Sequence, residues 1–364
     1  MTITIVIGEK LYTGDNVQDG FYESVLNLKK KSDDVNHSQY FDDFRSHYSH
    51  IIELCRSQVR MDPLTDAEAF KILEKMKPDV LDFFSITPYH YLYAGPAGWR
   101  HFTLLLNALI SDLSNIDICE VNRAFACILF KGHGRDKTSS RSYRTISSCP
   151  VIAKALDVMI RDRNIRQWNL YQAPTQFQGE GSSHELAGIL LTECVQYSLH
   201  ILKRPMFALY LDAQSAFDVV QRELLIKNLF DVNGPSQDLL YVDKRLAARE
   251  TVVEWNGSLM GPINDEQGLE QGGINSSEFY KIFGKEQLTV AQNSNLGVPL
   301  STANIFAIRE ADDTVLISND IHHLFYILQL NKIFCEKYLV KLCAEKTKLQ
   351  VFKPKANTAD DPSS

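Results

Sequence analysis

Two apolar runs in this chain each deliver carboxylates to the end of a strand, and no other feature limits the fold as tightly. Phe207-Ala208-Leu209-Tyr210-Leu211 is too apolar to lie in water, and it closes on Asp212. Residues 303–318 read as strand, acidic turn, strand: Ile305-Phe306-Ala307-Ile308 and Thr314-Val315-Leu316-Ile317 flank Glu310, Asp312 and Asp313. Short runs of this composition, bounded by polar residues, are strands buried in a sheet. Taken singly, Asp212 serves equally as a helix cap or turn residue, and the acidic pair as an ordinary hairpin tip. Taken together, three carboxylates on adjacent strands would repel one another unless divalent cations offset their charge. Hard oxygen donors suit Mg2+. Two such ions about 3.5–4 Å apart can activate an attacking oxygen and stabilise a leaving one in phosphoryl transfer. Adjacency of the two runs is a matter of topology, not of local sequence.

Charge is unevenly spread. The chain of 364 residues carries a formal charge of −7, which argues against a protein that binds nucleic acid with its whole surface. Divided along its length it reads −6 over residues 1–125, +5 over 126–204 and −6 over 205–364. Between Lys131 and Arg166 nine basic residues face Asp136, Asp157 and Asp162. A basic block between acidic flanks fits a polyanionic partner, and equally a solvated helix face. The 45% hydrophobic content excludes a wholly disordered chain and supports two or three globular units. Seven cysteines without C-x-x-C spacing suggest reduced thiols in an intracellular protein, nuclear or cytoplasmic, rather than a disulfide framework or zinc site. No apolar run reaches the roughly 18–20 residues of a membrane span. No targeting signal stands at the start, so no membrane partner is expected.

Periodicity and punctuation predict helices over about 38–58, 66–77, 98–113, 150–164, 184–200, 219–230, 275–294 and 321–338. Thr65 and Glu68 have capping-box spacing. Strands are predicted over 121–130, 206–211, 303–318 and 347–352, with a hairpin at Asn256-Gly257. The tail from Lys353 to Ser364 has the composition of a disordered segment.

In order and content these segments resemble the reverse transcriptase domain of non-LTR, LINE-type retrotransposons, over roughly residues 62–352. Ser142-Tyr143-Arg144-Thr145-Ile146-Ser147 is similar to a Y-R-P-I-S motif, with Thr145 for Pro, and Lys131-Gly132 precedes it. Thr175 to Ser183 resembles Q-F-G-F-R-x-x-R-S without its basic residues. Asp212-Ala213-Gln214-Ser215-Ala216-Phe217-Asp218 matches D-x-x-x-A-F-D. Gly268 to Ser276 resembles G-x-P-Q-G-S-x-x-S, with Glu270 for Pro and Gly273 for Ser. Ala311-Asp312-Asp313 matches the A-D-D hairpin, and Glu345-Lys346-Thr347-Lys348 is similar to the element that ends the palm.

The resemblance implies an α+β right-hand polymerase fold. Fingers would occupy about 61–205, and a ferredoxin-like palm with an antiparallel sheet 206–352, after a helical N-terminal extension over 1–60. It implies an RNA-directed DNA polymerase that uses dNTPs on an RNA template and DNA primer, with two Mg2+ ions, or Mn2+ in their place. Asp212, Asp312 and Asp313 would be catalytic and hold the metals, with a backbone carbonyl at Leu211–Asp212 as a further ligand. Lys131 and Arg144 would hold the triphosphate as charge-assisted donors. Phe217 would lie under the sugar and exclude a 2′-hydroxyl, or else be a core residue. Gln271 and Gly272 would let backbone approach the incoming base and template. Lys346 would protonate departing pyrophosphate, or be a plain surface lysine.

Departures are equally plain. Glu310 adds a fourth carboxylate where such domains carry an aromatic, Gln or aliphatic residue. No thumb segment follows Lys348 and no endonuclease precedes residue 60, which reads as a truncated or degenerate copy whose activity is in question. The alternatives are a catalytically inactive remnant that at most binds RNA, and another two-metal phosphotransferase on a ferredoxin-like sheet, such as a cyclase. Gln271-Gly272 and Tyr143-Arg144 speak against the latter.

Overall fold

The computed structural model describes residues 4–31, 39–82, 84–132, 134–178 and 183–354. Most of the tail from Lys353 to Ser364 and part of the Thr175–Ser183 motif lie outside the described residues. Two compact units separate. One comprises Met1–Leu170 with Phe217–Phe279, the other Tyr171–Ala216 with Tyr280–Ser364.

The first unit is built on a four-stranded sheet in the order Tyr143–Ser148, Arg123–Phe130, Glu250–Trp255, Ser258–Asn264. Arg123–Phe130 pairs parallel with Glu250–Trp255; the other pairs are antiparallel. The alternation of Ala124, Ala126 and Ile128 buries one face of the central strand. Asn256 and Gly257 both have positive φ, as the tight turn between Glu250–Trp255 and Ser258–Asn264 requires. An unforeseen hairpin, Thr4–Ile7 with Lys10–Thr13, leads into helix Val17–Lys29. Together they bury Ile5, Val17, Phe21 and Val25 against Ile128, Val253 and Ile263. Phe21 lies between the rings of Tyr143 and Trp255, with centroids at 4.8 and 4.3 Å. The helix Asp66–Glu74 starts on the foreseen capping box: Thr65 Oγ1 accepts from Glu68 N–H, and Glu68 accepts from Thr65 N–H.

The second unit carries the two opening runs on one five-stranded sheet. Its order is Lys348–Phe352, Met206–Leu211, Asp313–Ser318, Ala307–Glu310, Gln176–Phe177. All pairs are antiparallel except the last. Period-two alternation gives the sheet two apolar faces. Met206, Ala208, Ile308, Val315 and Ile317 pack toward Leu190 and Leu191 of helix His184–Gln196. Leu211, Ala307 and Leu316 pack toward Leu324 and Ile327 of helix Ile321–Tyr338.

Some elements differ from expectation. The helix expected over 275–294 breaks into Ser276–Phe283 and Lys285–Thr289. A Cβ at Gly284 would lie 2.0 Å from Nη1 of Arg309, so this position yields its side-chain space to a buried guanidinium. The helix expected from Val219 begins at Arg222, because Phe217–Val220 is held as a turn: Leu269 and Gly268 N–H donate to the Phe217 and Val220 carbonyls. Helix Gln237–Ala247, capped by Ser236, was not anticipated. Among the described residues, no helix is long and apolar enough to cross a membrane.

Candidate active site

In the second unit, strand pairing decides which carboxylates meet. Leu211 pairs with Thr314, and Glu310 with Asp313. One further step along the first ladder sets Asp212 beside Asp313. Opposite residues of an antiparallel pair share a face, so Glu310, Asp313 and Asp212 form a row on the side covered by helix His184–Gln196. Asp312 occupies the turn next to Ala311, which adopts φ +54°. That is a left-handed conformation which costs a non-glycine residue about 1–2 kcal/mol. Burial, then the charges of Asp312, Asp212 and Glu310, raise the Asp313 carboxyl above its ordinary range, while Lys346 opposes them. Strand pairing thus gathers Glu310, Asp313 and Asp212, while Asp312 stands in the turn.

The far side of the row is closed by a lysine. The turn after helix Ile321–Tyr338 is tied to Asp212 through its backbone: Cys343 N–H donates to the Asp212 carbonyl at 2.8 Å, and Gln214 N–H to the Lys341 carbonyl at 2.8 Å. Lys346 Nζ then donates to both Asp212 oxygens, at 3.0 and 2.8 Å. A cavity of about 560 Å3 opens here, lined among others by Leu191, Ile308, Val315, Asp212, Asp313 and Lys346. Leu211 is buried with its side chain in the core.

Among the described residues, no group of three or more His, Cys, Asp or Glu side chains is arranged to hold a metal ion. The donors are hard carboxylate oxygens that repel one another at Asp313, which is the chemistry a divalent cation relieves. In this arrangement, the cation in contact with Asp212 is the Lys346 ammonium.

The remaining expected residues lie in the first unit. Lys131 and Arg144 are exposed on the strands and turn of the 123–148 hairpin. Lys131 N–H donates to the Ser142 carbonyl and its Nζ to the Arg141 carbonyl at 2.7 Å. Gln271 docks on the same hairpin, its carbonyl accepting from Ser147 N–H at 3.3 Å, and its Nε2 donates to Asp218 at 3.1 Å. Gly272 is exposed at the turn. Phe217 is half-buried beside Gly268-Leu269. At Gly268, φ is +87° and a Cβ would lie 2.7 Å from the Asp218 carbonyl oxygen, so only glycine lets these two motifs approach.

Two supporting clusters escaped sequence reasoning. Arg309, 1% exposed, donates Nε to Gln176 Oε1 at 2.5 Å and Nη1 to Gln287 Oε1 at 3.0 Å and the Gly284 carbonyl at 3.1 Å. It anchors the strand that presents Glu310. Burial lowers its pKa to about 10. The signal was an isolated Arg in an apolar strand, which must find buried acceptors. In the first unit, Glu270 is buried with Arg245 Nη2 at 3.2 Å, Arg249 Nη1 at 4.0 Å and the Cys149 thiol donating at 2.7 Å. Arg245 also meets Asp157 at 3.3 Å. The departure at Glu270 is thus matched by two arginines.

The family described as reverse transcriptase (RNA-dependent DNA polymerase) matches residues 135–358, well over half the chain, including both carboxylate runs and every expected site residue except Lys131. The chain belongs to the reverse transcriptase family. No curated protein sequence matches it significantly. Among solved structures, it is similar to apo telomerase from Candida tropicalis truncated from the C-terminal domain, at 12% identity and a TM-score of 0.46. That alignment covers 66% of this chain and 52% of the telomerase, so this chain spans about half the length of that structure. The reverse transcriptase assignment accounts for the mixed helix-and-sheet polymerase fold around the Asp212 strand and the A-D-D hairpin.

Proposed function

We propose that this reverse transcriptase domain is an RNA-templated DNA polymerase core of the non-LTR type, with its reaction centre on the Glu310–Asp313–Asp212 row. The carrying observation is the pairing of strand Met206–Leu211 with Asp313–Ser318, which places Asp212 beside the A-D-D hairpin. In this reading residues 206–352 act as the palm and residues 61–205 as fingers. Asp212, Asp312 and Asp313 would hold divalent cations, with a carbonyl at Leu211–Asp212 adding a ligand. When bound, Mg2+ or Mn2+ activates a primer 3′-hydroxyl and offsets the charge of the triphosphate. Lys131 and Arg144 donate to the phosphates. The Phe217 ring excludes a 2′-hydroxyl and so selects dNTPs. Gln271 and Gly272 offer backbone to the incoming base and template, and Lys346 holds the proton for pyrophosphate.

Primer extension on poly(rA)/oligo(dT) tests this. Incorporation of dTMP with Mg2+ is expected, together with its loss in Asp312→Ala. Absence of incorporation by the wild type and the variant alike would defeat the polymerase reading in favour of an RNA-binding remnant. Recovery of activity in Glu310→Gln from an inactive wild type would locate the fault at that carboxylate.

A further inference from the structure

We propose that Lys346 is a built-in counter-ion that must leave Asp212 before a divalent cation can bind there, so that loading of the centre is gated by this side chain. The inference rests on the reading of Asp212 as a metal ligand.

The geometry is specific. One ammonium contacts both Asp212 oxygens, at 2.8 and 3.0 Å, so it competes with any other cation for that carboxylate. The backbone that carries the lysine is fixed. Lys346 and Thr347 N–H and Thr347 Oγ1 all donate to the Cys343 carbonyl, while Cys343 N–H donates to the Asp212 carbonyl. The turn and Asp212 therefore form one hydrogen-bonded piece, and only the flexible lysine stem remains to move. It has room to do so, because the Lys346 side chain is 58% exposed while that of Asp212 is 23% exposed. The row also gives the ammonium a purpose: strand register sets Glu310, Asp313 and Asp212 side by side, and a positive charge next to them offsets like-charge repulsion. An ion pair this exposed is weak, so a divalent ion can displace it, and the contact sets the threshold for loading.

The test is Mn2+ binding to the full chain, by electron paramagnetic resonance or calorimetry, at about 0.1 M salt and without nucleic acid. Lys346→Gln removes both the contact and a neighbouring positive charge. It is expected to tighten Mn2+ binding about tenfold, counting about two- to fivefold for the pair and the rest for the charge. Lys348→Gln changes another lysine of the same cavity and is expected to change affinity by less than about twofold. In wild type carrying 13C-methylated lysines, added Mg2+ should shift the Lys346 resonance as it leaves Asp212. Unchanged or weaker Mn2+ binding by Lys346→Gln overturns the gate, as does an equal effect of Lys348→Gln. Asp212→Asn separates the gate from the reading beneath it. Mn2+ binding that survives Asp212→Asn in the Lys346→Gln background overturns the metal role of Asp212 together with the gate. Binding that depends on Asp212 but ignores Lys346 overturns the gate alone.

Discussion

Glu270 stands where the resembling motif has proline, and its burial makes it a sharp test of the packing of the first unit. Its carboxylate lies between Arg245 and Arg249. Burial alone would raise its pKa, but the two arginines and the Cys149 thiol more than offset this and hold it below the ordinary range. Glu270→Gln keeps the shape and an acceptor for Cys149 while deleting the charge, leaving Arg245 with Asp157 as its remaining carboxylate at 3.3 Å. Removing one partner of a buried pair costs about 3–5 kcal/mol, a large part of the roughly 5–15 kcal/mol that holds a protein folded. Urea unfolding followed by tryptophan fluorescence reads this selectively, because Trp99, Trp168 and Trp255 all belong to the first unit. The midpoint should fall by more than about 1 M. Combining Glu270→Gln with Arg245→Met should cost less than the sum of the two single changes. Acid provides a second readout. Asp265 is likewise depressed: burial raises it, and Arg249 and Lys29 outweigh burial. Both carboxyls bind protons more weakly folded than unfolded. The stability they give is therefore complete above about pH 5 and lost as pH falls through and below about 4. The loss should be smaller in Glu270→Gln. A midpoint within about 0.3 M of wild type, with additive single changes, would refute the compensation of Glu270 by the arginines.

Three further outcomes are expected. Gly268→Ala forces an L-residue to φ +87° against the Asp218 backbone; it should destabilise the first unit by at least about 2 kcal/mol in the same urea assay. Gln176→Ala removes the acceptor of Arg309 Nε and should cost about 1–3 kcal/mol, read as faster amide exchange over 307–310. Glu310→Gln removes one of the charges that raise the Asp313 carboxyl; a 13C carboxyl titration should then find Asp313 closer to its ordinary value, and an unchanged titration would separate Glu310 from the row.

What could be read from sequence was what short stretches settle by themselves. Met206–Leu211 and Ile321–Tyr338 came out at their observed bounds because apolar composition and periodicity fix both. The Thr65 capping box and the Asn256-Gly257 turn were likewise local. The hairpin Thr4–Ile7 with Lys10–Thr13 carries a local signal too, a Gly8-Glu9 pair between β-forming runs. The break at Gly284 was not readable, since it depends on Arg309 arriving from another strand. The candidate site divides the same way. Asp212, Asp312 and Asp313 were identifiable by position, whereas the row with Glu310 and the closure by Lys346 depend on strand order and register. Those follow from long-range pairing, which no window of sequence contains.

The central claim is that the Asp212 strand and the A-D-D hairpin form one reaction centre. The most direct measurement is single-turnover dTMP incorporation by wild type, Asp212→Asn and Asp313→Asn, titrated with Mg2+ on an RNA template. A common centre gives Mg2+-dependent incorporation by wild type that falls at least about a hundredfold in Asp212→Asn, with a shifted Mg2+ requirement in Asp313→Asn. Incorporation by Asp212→Asn at the wild-type rate and with the wild-type Mg2+ dependence would contradict it.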